Sequence, residues 1–235
     1  MPGGRRIAFR HVAGEGPTVV FLPGYMSDMD GSKATALFEA AKAAGRACLL
    51  LDYSGCGRSE GEFADGTLSR SKDEVLTLVE AHVAGQVVLV GSSMGGWLML
   101  LVARELRDRL HGIVGIAPAP DFTEWGYSKE QKAQLHAGET IFEDNPYGSE
   151  PTPTHAAFWR DGEGLKQLGS TIPITCPVRL LHGQDDADVP PDISLRLAEA
   201  LASEDVRITF VKAGDHRLSR ERDVELLLSA VAELA

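Results

Sequence analysis

The sequence predicts an α/β fold: one mostly parallel, doubly wound sheet of about seven strands, with helices on both faces and a helical insertion over one edge. Three observations carry that reading. Seven short β-rich runs alternate with helix-periodic segments along 235 residues. All but the first of those runs read as apolar stretches, as strands covered on both faces must be. One of them, residues 86–91, leads through Gly91-Ser92-Ser93-Met94-Gly95 straight into a helix-forming run, Trp97-Leu98-Met99-Leu100-Leu101-Val102.

Taken in order, residues 7–12 alternate in polarity, and Gly14-Glu15-Gly16 joins them to the apolar run 18–22. That pattern predicts an antiparallel hairpin at a sheet edge. A helix over about 33–44 and a strand over 47–52 follow. Leu68, Val75, Leu78, Val79 and Val83 recur at helical spacing and predict a helix over about 68–84. Beyond the strand at 86–91 come a helix over about 97–110 and a strand over 112–117. The rhythm returns with a strand at 178–182, a helix over about 191–202 and a strand at 206–211. Leu195, Leu197, Ala198 and Leu201 mark the helix, and a last helix is expected over 221–234. The chain thus reads as one domain, residues 1–235, without internal repeat or low-complexity tract.

Residues 119–171 break the alternation. They hold no convincing strand but carry Trp125, Tyr127, Phe142, Tyr147, Phe158 and Trp159. Structureless loops of that length are uncommon in a compact domain unless they serve function, so the segment is expected to form a cap over the carboxyl edge of the sheet.

Composition bounds the function. Hydrophobic content of 43% and charged content of 24% are ordinary for a globular protein with a good core. A net charge of −11 argues against nucleic acid or an anionic membrane as partner. No apolar run approaches the ~18 residues of a membrane span, so no integral membrane contact is expected. Arg5-Arg6 lacks the apolar stretch that a twin-arginine signal needs. The three cysteines, Cys48, Cys56 and Cys176, are odd in number and show no metal-ligand spacing. Free thiols and a reducing compartment follow, and a cytoplasmic location is expected.

The chemistry-bearing residues lie at the ends of strands. Gly-x-Ser-x-Gly between a strand and a helix is the context of a nucleophile elbow, with Ser93 on a turn too sharp for side chains at Gly91 and Gly95. A serine nucleophile needs a base, and the base needs an orienting acid. Of the seven histidines only His216, in Gly214-Asp215-His216-Arg217, follows the last strand. His182 ends a strand and reads as a packing or hydrogen-bonding residue beside the acid loop, not as the base. His11, His82 and His111 read as surface or structural, and His136 and His155 lie in the cap segment. Asp186 is the favoured acid, from the spacing His182-Gly183-x-x-Asp186-x-x-Val189; Asp185, Asp188 and Asp121 compete for the role. Asp215 reads as shaping its loop. Two N–H groups should hold the oxyanion: Met94, just after the nucleophile, and Tyr25, in the loop Pro23-Gly24-Tyr25-Met26. The glycines of Asp52-Tyr53-Ser54-Gly55-Cys56-Gly57-Arg58-Ser59 lack the Lys-Ser/Thr of a phosphate loop. That stretch reads as a structural loop buttressing the site.

At these residues the chain resembles the α/β-hydrolase superfamily. The similarity runs through Leu22-Pro23-Gly24-Tyr25, Asp52-Tyr53-Ser54-Gly55-x-Gly57-x-Ser59, Gly91-Ser92-Ser93-Met94-Gly95-Gly96-Trp97, Leu181-His182-Gly183-x-x-Asp186-x-x-Val189-Pro190 and Asp215-His216-Arg217. More narrowly it is similar to a mitochondrial branch of serine esterases acting as palmitoyl-protein thioesterases and acyl-glucuronide esterases. The resemblance implies a Ser-His-Asp hydrolase of acyl esters or thioesters, acylated proteins among them. The chain departs from that branch in lacking a transit peptide, and a bacterial-type cytosolic relative is expected. No metal or organic cofactor is implied. A carbon–carbon hydrolase or perhydrolase on the same triad, and a catalytically silent ligand-binding module, are the alternative readings.

Overall fold

The computed structural model describes residues 4–146 and 148–235. In chain order the main elements begin with β1 (Phe9–Val12), β2 (Glu15–Leu22), α1 (Ser32–Ala43), β3 (Arg46–Leu51), α2 (Leu68–His82), β4 (Val87–Ser92), α3 (Met94–Leu106) and β5 (Leu110–Ile116). After β5 the chain leaves the main sheet. It forms α4 (Phe122–Trp125), α5 (Lys129–Ala137), a small antiparallel pair β6 (Ile141–Glu143) and β7 (Thr152–Thr154), and α6 (Ala156–Glu163). It then returns through β8 (Val178–Gly183), α7 (Asp192–Ala200), β9 (Val206–Val211) and α8 (Glu221–Leu234).

Seven strands make one sheet in the order β1-β3-β2-β4-β5-β8-β9, parallel except for β1. The two-residue period of a strand sorts its side chains to opposite faces. In β2, Val20 and Leu22 join the core under α2, α3 and α7, where Leu68, Val75, Trp97, Leu98 and Leu197 are buried. Val19 and Phe21 turn to the other core with Leu37 and Phe38 of α1 and Leu227 and Val231 of α8. Both faces being covered explains the unbroken apolar reading of β2 to β5 and β8.

Three details differ from the sequence reading. The expected hairpin is absent: β1 pairs antiparallel with β3, Phe9 facing Leu51, and β2 lies on the far side of β3. The link between β1 and β2 therefore crosses the start of β3. Gly14 makes this crossing sterically feasible, since a Cβ there would come within 2.2 Å of the Arg46 carbonyl carbon. Burial decides the order: β2 carries five consecutive buried residues and needs neighbours on both sides, whereas β1 is half exposed and suits an edge. At the opposite edge β9 is not covered on both faces, and its Arg207 and Thr209 are exposed. On α7 the buried face is Ile193, Ser194 and Leu197, while Leu195 is 48% exposed.

Residues 119–171, read as strandless, contain the β6–β7 pair. Internal contacts and a contact to the body of the fold hold the segment. The Asp121 carboxylate accepts the Gln167 and Leu168 amides at 2.7 and 2.8 Å, closing the return to the sheet. Asp161 of α6 takes the amide and hydroxyl of Ser69 at the start of α2. Trp159 Nε1 donates to Thr123 O. Of the aromatic side chains singled out in the sequence, Phe158 and Trp159 are buried, Phe142 is 67% exposed, and Tyr147 lies outside the described residues.

Candidate active site

Every parallel strand ends at the same edge of the sheet, and the loops that leave it converge there. The sharpest follows β4. Ser93 sits at φ 55° and ψ −120°, between the last residue of β4 and the first of α3. Such backbone is costly for a side-chain-bearing residue and persists only where the surroundings over-determine it. Here they do. The Ser93 amide donates to Ile116 O, and its carbonyl takes the Gly96 and Ala119 amides. A Cβ at Gly91 would lie 2.4 Å from Gly95 O, and one at Gly95 would lie 2.1 Å from Leu22 O. Both glycines are needed because backbone passes where a side chain would be.

The β8 and β9 loops bring two more groups to Ser93. His216 Nε2 lies 3.0 Å from Ser93 Oγ, and His216 Nδ1 lies 2.9 Å from Asp186 Oδ2. Facing a carboxylate, Nδ1 carries the proton, which leaves Nε2 free to accept from the serine hydroxyl. The Asp186 side chain is 0% exposed and His216 is 13% exposed. Asp186 Oδ1 accepts the amides of Asp188 and Val189 at 2.9 and 2.8 Å. Burial pushes this carboxyl up, but hydrogen bonds from His182 and His216 outweigh it and hold the group well below the usual carboxylate range.

The competing aspartates have other work. Asp121 is engaged by Gln167 and Leu168, and burial raises its carboxyl despite those amides. Asp215 accepts the Leu218 amide, and Asp185 is exposed. Asp188 is also exposed, though its carboxylate, that of Asp186 and a ring nitrogen of His216 come within 4.8 Å of one another. A cation on these three would have to compete with the His216 proton already held by Asp186.

Met94, the first residue of α3, has an amide with no intrahelical acceptor, at the positive end of the helix dipole. The loop after β2 runs against the elbow, so that a Cβ on Gly24 would lie 3.3 Å from Ser92 O. The Tyr25 amide follows directly. The Asp52–Ser59 loop supports this stretch: Asp52 accepts the Met29 amide at 2.7 Å, and the Tyr53 hydroxyl donates to Pro23 O at 3.2 Å. The Tyr25 ring packs edge-on against Phe63, Phe122 and Phe158, and its hydroxyl donates to Pro153 O in β7. Much of the aromatic content of the 119–171 segment is thus spent on packing.

A cavity of about 750 Å³ opens over Ser93 and His216. Phe122, Trp125 and Val189 form an apolar part of its wall, packed together on Ala119 and Ile193. Lys33 and Arg217 line it as well, with Lys33 Nζ donating to Arg217 O. Burial and the nearby Arg217 charge push the Lys33 amine down to about 8. Sequence reasoning missed Lys33, since nothing in its helix distinguishes it. His182, expected as a packing or hydrogen-bonding residue beside the Asp186 loop, lies there: its Nε2 is 3.2 Å from Asp186 Oδ2.

Comparison with known proteins agrees with this architecture. The sequence matches the alpha/beta hydrolase family over residues 19–229. Mitochondrial palmitoyl-protein thioesterase ABHD10 of mouse is 37% identical over 234 residues, covering 97% of this chain and 78% of that protein. The crystal structure of a putative hydrolase from Agrobacterium vitis S4 superposes with a TM-score of 0.93 at 38% identity, covering 98% of this chain and 93% of that one. The structure of alpha/beta hydrolase domain-containing protein 10 from mouse gives 0.91 at 35% identity, with coverage of 98% and 94%. With the match spanning nearly the whole sheet and relatives this similar over almost the full length, the chain belongs to the alpha/beta hydrolase family.

Proposed function

We propose that this protein is a serine hydrolase of carboxylic esters and thioesters. The observation that carries the reading is the chain Ser93 Oγ, His216 Nε2, His216 Nδ1, Asp186 Oδ2, with both contacts at hydrogen-bond length. Ser93 Oγ attacks the acyl carbonyl while His216 takes its proton. The Met94 and Tyr25 amides receive the negative charge that develops on the carbonyl oxygen, each worth about 10²–10³ in rate in comparable sites. His216 then protonates the leaving oxygen or sulfur. A water, deprotonated by the same imidazole, hydrolyses the acyl-enzyme and regenerates Ser93. No cofactor enters the scheme.

Residues 119–171 act as the cap. They carry Phe122, Trp125 and Tyr127 into the cavity wall, which suits an apolar acyl chain. The cavity volume is within the ~300–1,000 Å³ of small-molecule sites. The name of the mouse relative supports thioesters, acylated proteins included, as a substrate class. The curated relative is described as mitochondrial, and among the described residues no helix is long and apolar enough to cross a membrane. Three free cysteines suit a reducing compartment, which the cytoplasm and the mitochondrial matrix share.

The test is hydrolysis of p-nitrophenyl esters from acetyl to palmitoyl, and of matching S-acyl thioesters, by wild type and Ser93→Ala. Removing the nucleophile is expected to lower kcat by about 10⁵–10⁶. A folded wild type inert toward both series would overturn the reading in favour of a carbon–carbon hydrolase or a silent module.

A further inference from the structure

Two imidazoles, not one, approach the acid. Asp186 Oδ2 lies 2.9 Å from His216 Nδ1 and 3.2 Å from His182 Nε2. His182 is the penultimate residue of β8 and is completely buried. Its ring is engaged at both nitrogens: Nε2 also faces Val189 O at 3.0 Å, and Nδ1 faces Ser194 Oγ at 2.7 Å. Nε2 meets only acceptors, so it carries a proton. The Ser194 hydroxyl, itself buried in the first turn of α7, then donates to Nδ1 and holds that tautomer.

We propose that His182, locked by Ser194, is a positioning residue of the catalytic triad: it holds the Asp186 carboxylate so that Oδ2 stays aimed at His216. This rests on the triad reading above. The argument is one of remaining freedom. The Asp188 and Val189 amides fix Oδ1 but leave Oδ2 able to swing about it. His216 comes from a different loop and is itself what must be oriented, so it cannot serve as the reference. His182 can, because it stands on β8, a strand paired on both sides, and is braced from α7. If the site needed only packing, an apolar side chain would fill it without burying two ring nitrogens that must each find a partner.

The experiment compares His182→Gln, whose amide nitrogen reaches the place of Nε2, with His182→Asn, whose amide ends near Nδ1 and falls short of Asp186. Activity is measured per folded enzyme, with thermal midpoints recorded alongside. A misaimed acid acts on the transition state, so kcat should fall while KM holds. The expected loss for His182→Asn is about 10-fold to 100-fold in kcat with KM within about threefold, and His182→Gln should recover most of it. Ser194→Ala, a smaller change that unlocks the ring, should show a weaker loss of the same kind. Equal kcat losses in the Asn and Gln variants, or wild-type kcat in both, would overturn the proposal. Should neither His182 variant fold, Ser194→Ala decides, and unchanged kcat in it is again fatal. Asp186→Asn separates the two levels. If it is inactive while the His182 variants are not, only the positioning role fails; if it is fully active, the triad reading fails first.

Discussion

Replacing Asp186 by Asn exchanges one buried oxygen for an NH₂ group and little else, which makes its cost calculable from the contacts. The two backbone amides on Oδ1 survive, because the new amide keeps one oxygen for Asp188 and Val189. The NH₂ group then occupies the position of Oδ2, 2.9 Å from His216 Nδ1 and 3.2 Å from His182 Nε2. Both ring nitrogens carry protons there, so donors face donors. His216 escapes by moving its proton to Nε2. That tautomer points N–H at Ser93 Oγ and cannot accept the hydroxyl proton. The same inversion of roles at a serine triad costs about 10⁴ in kcat, or about 5.4 kcal/mol of barrier. His182 has no such escape, since Val189 O also needs its N–H. One strained buried donor should lower stability by roughly 1–3 kcal/mol. The assay is kcat on the best p-nitrophenyl ester for wild type, Asp186→Asn and Asp121→Asn, with unfolding measured in parallel. Asp121→Asn should lose stability through the Gln167 and Leu168 amides and keep kcat within a few-fold. A folded Asp186→Asn within tenfold of wild-type kcat would refute the reasoning and return Asp185 and Asp188 as candidate acids.

Two further outcomes follow from the same contacts. Gly95→Ala would drive a Cβ to 2.1 Å from Leu22 O and 2.5 Å from Pro23 O, both rigid backbone next to the Tyr25 amide. It should destabilise by at least about 1–3 kcal/mol, a fall of a few to ~10 °C in Tm by thermal unfolding, with kcat reduced as the Pro23–Tyr25 loop shifts. Lys33 is pushed down to about 8 when folded, against about 10.5 for a free lysine, so the folded state sheds this proton first. Wild-type stability therefore gains a positive slope between about pH 8 and pH 10.5 from this group, and Lys33→Met should remove that increment in a pH series of denaturant unfolding.

Much of the fold was legible because its causes are local or periodic. The apolar runs of β2, β4, β5 and β8 announce central parallel strands, and Leu68, Val75, Leu78 and Val79 announce the buried face of α2. β1 shows what such signals omit. Its alternation marks it as an edge strand, but alternation is the same whichever neighbour supplies the ladder, and here the neighbour is β3. The aromatics of residues 119–171 show it again. An aromatic run suits a ligand pocket and a packed cluster equally, and Phe158 with Trp159 went to packing while Trp125 reached the cavity wall.

By itself the sequence determined the order of the candidate groups along the chain: a serine turn with glycines at two places where backbone must pass, then an aspartate after one strand, then a histidine after the last. Steric exclusion at Gly91 and Gly95 is written in residue types, and so is the strand-end placement of Ser93, Asp186 and His216. Only the tertiary structure decided which of four aspartates meets His216, that His182 shares that carboxylate, and that Lys33 stands in the wall of the same cavity. The reason is physical. Burial and hydrogen-bond direction depend on loops from β8, β9 and α1 arriving at one point, and residues some 30 to 180 positions apart acquire their chemistry only from that convergence.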